Sequence, residues 1–151
     1  MAESIQKRIL KSFETALGSV SSLASSGPGR LEHLNQTRPC AGFFPSDEDT
    51  ELIPDTSENN EMEVIVRVLV DEEDEAALYE LEDILMDIEI AVKADPTQGG
   101  IAEHTRKMGR HYLYVDRDLP QAGADVIFKV RYQTEETDPS EQNFIGPPQI
   151  T

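Results

Sequence analysis

The residues of this chain that could do chemistry are numerous carboxylates, three histidines, one cysteine and a run of serines. None falls into a spacing that performs a reaction. His33, His104 and His111 lack the His-Glu-x-x-His pattern that puts two imidazoles one helical turn apart on a metal. His104 and His111 stand in a region of extended character and read as surface or sheet-edge histidines. The serines concentrate in 19–26 with no G-x-S-x-G turn to present a nucleophile. Two carboxylate clusters, Asp47-Glu48-Asp49 and residues 71–75, invite a metal. A calcium loop needs alternating ligands, a central glycine and a closing glutamate, and neither cluster has them. A two-metal nuclease needs acids converging from separate strands beside a lysine, and the sequence offers no such set. The clusters read instead as solvated charge and helix caps. Gly99-Gly100 lacks the lysine and following helix of a phosphate loop and reads as a turn. Cys40, alone, can form neither an intrachain disulfide nor an all-cysteine metal site, and it reads as a small, partly buried apolar residue. The expectation is a protein that is not an enzyme, with no catalytic residue, no metal and no cofactor.

Composition narrows the remaining classes. At 151 residues the chain suits one domain. With 38% hydrophobic residues and no Trp, its core should be modest and aliphatic. Thirteen bases against thirty acids give a net charge of −17. Such a charge repels nucleic-acid phosphates and anionic membrane surfaces. It suits basic partners, or a surface past which DNA slides without sticking. No stretch approaches the ~18 consecutive apolar residues of a membrane span, and the N-terminus lacks the apolar segment and cleavage site of a signal peptide.

The elements that would position any site follow from periodicity. Ile5, Ile9, Phe13 and Leu17 recur at spacing four and predict a helix over 3–17 with one apolar stripe, ended by Gly18 and the serine run. Residues 27–40, opened by Gly27-Pro28-Gly29, read as a loop, and 41–44 as a brief strand stopped by Pro45. Residues 45–61 read as an acidic loop insertion, with a hairpin-like excursion between two strands as the ordered alternative. Residues 62–70 alternate cleanly: Val64, Val66, Val68 and Val70 on one face; Glu63, Ile65, Arg67 and Leu69 on the other. After the acidic turn 71–75, Leu78, Leu81, Leu85, Ile88 and Val92 mark a helix to about residue 94, with Glu80, Glu82, Asp83, Asp87 and Glu89 largely away from the stripe. Asp95-Pro96 stops it. Residues 101–108 and 112–115 look extended, with Gly109 as a bulge or bend. Residues 126–134 repeat the pattern of 62–70, and the two should be antiparallel neighbours. The fold expected is α+β: a mainly antiparallel sheet with an N-terminal helix and one long helix packed on one face. The domain should span 1–137, leaving 138–151 as an extended C-terminal arm.

Charge is segregated along the chain. Between 47 and 75 there are thirteen acids and one base, Arg67, whereas 104–117 is basic. In a homo-oligomeric ring an acidic surface of one subunit can meet a basic surface of the next. The interface candidates are Arg106, Lys107 and Arg110 against Asp47, Glu48 and Asp49. Ile65 and Leu69 join them from the mixed strand face, and Phe144 and Ile145 from the tail.

The layout resembles the tail terminator and tail completion proteins of long-tailed bacteriophages. The residues that carry the likeness are IQKRILKSFETAL, then EVIVRVLV, then LYELEDILMDIEIAVKAD running into PTQGGIA, and last ADVIFKVRYQTEE with its Tyr132-Gln133-Thr134 step. The likeness covers roughly residues 3–137. It implies a subunit of a hexameric ring at the head-proximal end of the tail. Such a ring stops tail-tube polymerisation and offers the surface for head–tail joining. The implied partners are further copies of the chain, the tail tube protein and a head–tail connector or neck protein. DNA would pass through the lumen without specific binding, and no membrane is involved. The implied location is the virion, after assembly in the host cytoplasm. The alternatives are a neck or head-completion protein on the portal side, or an acidic adaptor or inhibitor.

Overall fold

The computed structural model describes residues 4–29, 38–53, 57–70, 75–115 and 121–135. It consists of helix α1 (Ile5–Gly18), strands β1 (Ser25–Pro28), β2 (Cys40–Ile53) and β3 (Ser57–Val70), helix α2 (Glu75–Lys93), and strands β4 (His104–Val115) and β5 (Gln121–Glu135). The five strands form one sheet in the order β1-β2-β3-β5-β4. β1 runs parallel to β2, and every other pair is antiparallel. The fold is α+β, as the periodicities predict.

β3 and β5 are the two strands with the clearest alternation, and they pair along their whole described length, from Ser57 opposite Glu135 to Val70 opposite Ala122. Their valine-rich faces point the same way. Val64, Val66, Val68, Val126, Phe128, Val130 and Tyr132 are all fully buried. α1 lies over β1 and β2, and α2 over β3, β5 and β4. α1 starts because the Ser4 hydroxyl accepts a hydrogen bond from the Lys7 backbone N–H at 3.1 Å, satisfying one of the orphan donors of the first turn. The spacing-four stripe Ile5, Ile9, Phe13 and Leu17 is buried to within 1%. Phe13 meets Phe128 edge-on, with ring centroids 5.7 Å apart.

Four local expectations change. Ser25–Pro28 is a strand at the sheet edge, where a proline leaves no inner ladder bond unmade. β2 does not end at Pro45. Its register shifts between Pro45 and Glu48, and the strand continues to Ile53. β1 ends opposite Phe43, so beyond it β2 is itself an edge, and a bulge absorbs the missing donor. The described parts of the acidic segment 45–61 thus belong to β2 and β3, whose backbones pair with each other whatever charge their side chains carry. On α2, Leu78 is 39% exposed while Glu89 is 7% exposed. Finally, residues 101–103 precede the sheet, and the two extended stretches are one strand, β4, with a register shift between Lys107 and Gly109.

The turn after α2 is held by a buried glutamine. Gln98 adopts a positive φ of 50° and is 3% exposed. Its Oε1 accepts from Ser12 Oγ of α1 at 2.8 Å, and its Nε2 donates to Thr105 Oγ1 of β4 at 3.0 Å. One side chain thereby ties α1, the turn and β4 together. On the far side of the sheet, Gly123 of β5 sits where an added Cβ would lie 2.7 Å from both Leu69 Cδ2 and the Val68 carbonyl oxygen. Gly123→Ala is therefore expected to lose about 1–3 kcal/mol of stability through overpacking, read as a lowered urea midpoint with an unchanged slope.

Candidate functional site

The basic segment of β4 divides by strand alternation. Lys107, Arg110 and Tyr112 face the helix layer; Arg106 and His111 face away. Lys107 Nζ lies 2.7 Å from Glu89 Oε1. Arg110 Nε donates to Glu89 Oε2 at 3.0 Å, and its Nη2 also contacts that oxygen. Arg110 Nη1 donates to Glu82 Oε2 at 2.7 Å and to the Tyr112 hydroxyl at 3.1 Å, and this hydroxyl donates to Glu82 Oε1 at 2.7 Å. α2 presents Glu82 and Glu89 together because they are two turns apart on one flank. Burial works against the charge of Glu89, but the hydrogen bonds and charges of Lys107 and Arg110 outweigh it and hold the carboxyl below its ordinary value. The segment's partner inside the chain is thus α2, not the acidic stretch 47–75.

The acidic candidates sit on the β2–β3 hairpin. Asp47, Glu48 and Asp49 are all exposed, at the bulge where β2 resumes pairing. Glu48 is the engaged member: the Tyr132 hydroxyl donates to its carboxylate, and Gln6 Nε2 of α1 approaches it at 3.4 Å. Partial burial, opposed by the Gln6 hydrogen bond and helped by the charge of Glu58, raises its pKa. Nearby, Thr50 Oγ1 donates to Asn60 Oδ1 at 2.8 Å, and Asn60 Nδ2 donates to Thr134 Oγ1 at 3.0 Å. These bonds join β2, β3 and β5 across the base of the hairpin.

The remaining candidates lie on the open sheet face or outside the described residues. Ile65 is half-buried, between Phe44 and Ile127 in the register. Leu69 is buried within its own chain and packs with Cys40. Between these rows Arg67 makes a bidentate pair with Asp125, at 2.8 and 3.0 Å, and stacks over the Phe44 ring at 5.4 Å. Phe144 and Ile145 lie outside the described residues, as does His33. His104 and His111 are exposed, and Cys40 is buried. Among the described residues no group of three or more His, Cys, Asp or Glu is placed to hold a metal ion. No helix among them is long and apolar enough to cross a membrane.

Periodicity alone did not find two features. One is the burial of Glu89; its signal is the seven-residue spacing from Glu82, which puts both acids on the flank of the leucine stripe. The other is a second apolar line on α2. Tyr79, Met86 and Ile90 are 65%, 53% and 60% exposed, on the face turned away from the core.

No family model matches the chain, and no curated protein matches it. Among solved structures, a chain from the virion of a native gene transfer agent particle is similar over 87% of this chain and 92% of that one, at 13% identity and a TM-score of 0.32. At that score the likeness bears on neither the fold nor the function argued from the residues.

The two perturbed carboxylates move stability in opposite directions with pH. The folded-state pKa of Glu89 is lowered, so its contribution is present above the ordinary glutamate value and disappears as pH falls through the folded one. Glu89→Ala should cost about 1–3 kcal/mol at neutral pH, and thermal melts of variant and wild type should converge on acidification. The folded-state pKa of Glu48 is raised, so its ionisation removes stability as pH rises through that value. Glu48→Gln should melt above wild type at neutral pH, with the difference closing in acid.

Proposed function

We propose that this chain is a structural virion protein: a subunit of a ring at the head-proximal end of a phage tail that ends tube polymerisation and joins tail to head. The observation that carries the reading is where the signature segments fall. EVIVRVLV is the central strand β3, LYELEDILMDIEIAVK is α2, PTQGG is the turn held by Gln98, and VIFKVRYQTE is β5. The stretches that resemble the terminator family are those that build one continuous core, not scattered surface matches.

Electrostatics support the same role. A charge of −17 would make a lumen past which DNA moves with little adhesion. The exposed carboxylates of β2, Asp47, Asp49 and Glu51, contribute to that charge, as do Glu80, Glu82 and Asp83 of α2. Ring contacts would draw on exposed groups not already neutralised within the chain. By that criterion Arg106, Asp47 and Asp49 remain strong candidates. Lys107 and Arg110, already paired with α2, and Leu69, already packed on Cys40, become internal supports.

The test is assembly with and without the protein. Its removal from an assembling tail system should give tubes of uncontrolled length, seen by negative-stain microscopy, with normal length restored on adding it back. Tails of normal length that fail to join heads would instead assign the neck role and contradict termination.

A further inference from the structure

The carboxyl of Glu48 sits among too many acceptors. Glu48 is where β2 resumes pairing after the bulge, opposite the core residue Met62, so its side chain lies on the helix side of the sheet. The residue is exposed, yet its carboxylate reaches the hydroxyl of the fully buried Tyr132. Gln6 of α1 is its other partner. The Gln6 Nε2 lies 3.4 and 3.5 Å from the two carboxylate oxygens, at the long limit of a hydrogen bond. The Gln6 Oε1 is buried and has no partner. The surrounding charges do not relieve the carboxylate. β3 brings Glu58, whose charge opposes it, and Asp47 and Asp49 flank it on β2 itself. The groups that α1 and β5 bring to it, Gln6 and Tyr132, are neutral. Among the described residues no base makes an ion pair with Glu48.

One added proton supplies the missing donor. A neutral Glu48 carboxyl still accepts from Tyr132, and after a half-turn of the Gln6 amide its O–H donates to the Gln6 Oε1. Loss of that proton strands the acceptor and leaves an unpaired charge beside Glu58. Both are costly where water is partly excluded. What this contact holds is the distal half of β2. β1 ends opposite Phe43, so among the described residues the stretch Glu48–Ile53 is laddered on one side only, to β3. β3 is held on its other side by β5, as far as Ser57 opposite Glu135. Apart from its ladder, the distal half of β2 is tied down by the Thr50–Asn60 bond and by Glu48. The bulge separates it from the proximal half, so it can open without disturbing the core.

We infer that Glu48 is a proton-operated latch: protonated, it fastens the distal half of β2 to α1 and β5, and ionised, it releases that half from the domain. Burial and the charge of Glu58 raise the pKa of this carboxyl, which agrees in direction. The hold is therefore complete below the ordinary glutamate value and is lost as pH rises through the folded-state value. Release leaves the β3–β5 pair and both helices in place, so the device acts on one edge of the sheet and not on the whole fold. It does not depend on the ring reading.

The test is amide hydrogen exchange of the full chain, followed by NMR from the ordinary glutamate range up to neutral pH and corrected for intrinsic exchange rates. Protection of the distal β2 amides should fall at least about tenfold more than that of the β3–β5 amides over this range. The Glu48 carboxyl signal should titrate with the same midpoint. Glu48→Gln, which carries a donor and no charge, should hold the distal amides at their acid level throughout. Glu58→Gln should keep the step and lower its midpoint. Should Glu48→Gln disturb folding, the wild-type match between carboxyl titration and local opening decides alone. A wild type with no step confined to distal β2, or a step that survives Glu48→Gln, overturns the latch. Added calcium that restores protection at neutral pH in wild type but not in Glu48→Gln also overturns it, since the missing partner would then be a metal ion and not a proton.

Discussion

The structure depends on one pairing, β3 with β5. These strands are distant in sequence, yet they align over fourteen residue pairs without a register break. Every other element is placed by reference to them. β2 and β4 extend the sheet on either side, and both helices bury their stripes on the face the pair creates. A one-residue slip of β3 would turn Val64 and Val66 outward and bring Arg67 into the core, and a slip of β5 would do the same with Val126, Phe128 and Lys129. The alternation of valines with mixed residues thus fixes the register, and the register fixes which charges can meet.

The same alternation explains how a chain so acidic remains ordered. Its charges are sorted by face and not merely tolerated. Glu89 enters the edge of the core because Lys107 and Arg110 arrive there from β4, one strand outside β5. Arg67 and Asp125 satisfy one another on the open face. The hairpin, with few bases nearby, keeps its carboxylates exposed and is held at its base by neutral partners, Thr50, Asn60, Thr134 and Tyr132.

Much of this was legible in the residues. The spacing of four in Ile5, Ile9, Phe13 and Leu17, the valines of β3 and β5, and the Asp95-Pro96 stop each reflect a local rule strong enough to act alone. Ser25–Pro28 and the acidic half of β2 were not legible, because their strand character comes from a neighbour's backbone and not from their own side chains. The candidate site divides the same way. Charge segregation along the chain sets Lys107 and Arg110 against Asp47, Glu48 and Asp49 of a neighbouring subunit. That Glu82 and Glu89 of α2 pair with them inside the chain depends on the packing of α2 over β4, which no local pattern encodes. The outward stripe of Met86 and Ile90 was present in the helical phase, hidden because one apolar face already accounted for the helix.

We propose a ring subunit at the junction of tail and head. Electron cryomicroscopy of intact particles, with the subunit fitted to density along the virion axis, tests that claim most directly. The account predicts a single ring of this fold between the last tail-tube ring and the head connector. Particles whose junction contains no such ring, or in which the subunit lies elsewhere, would contradict it.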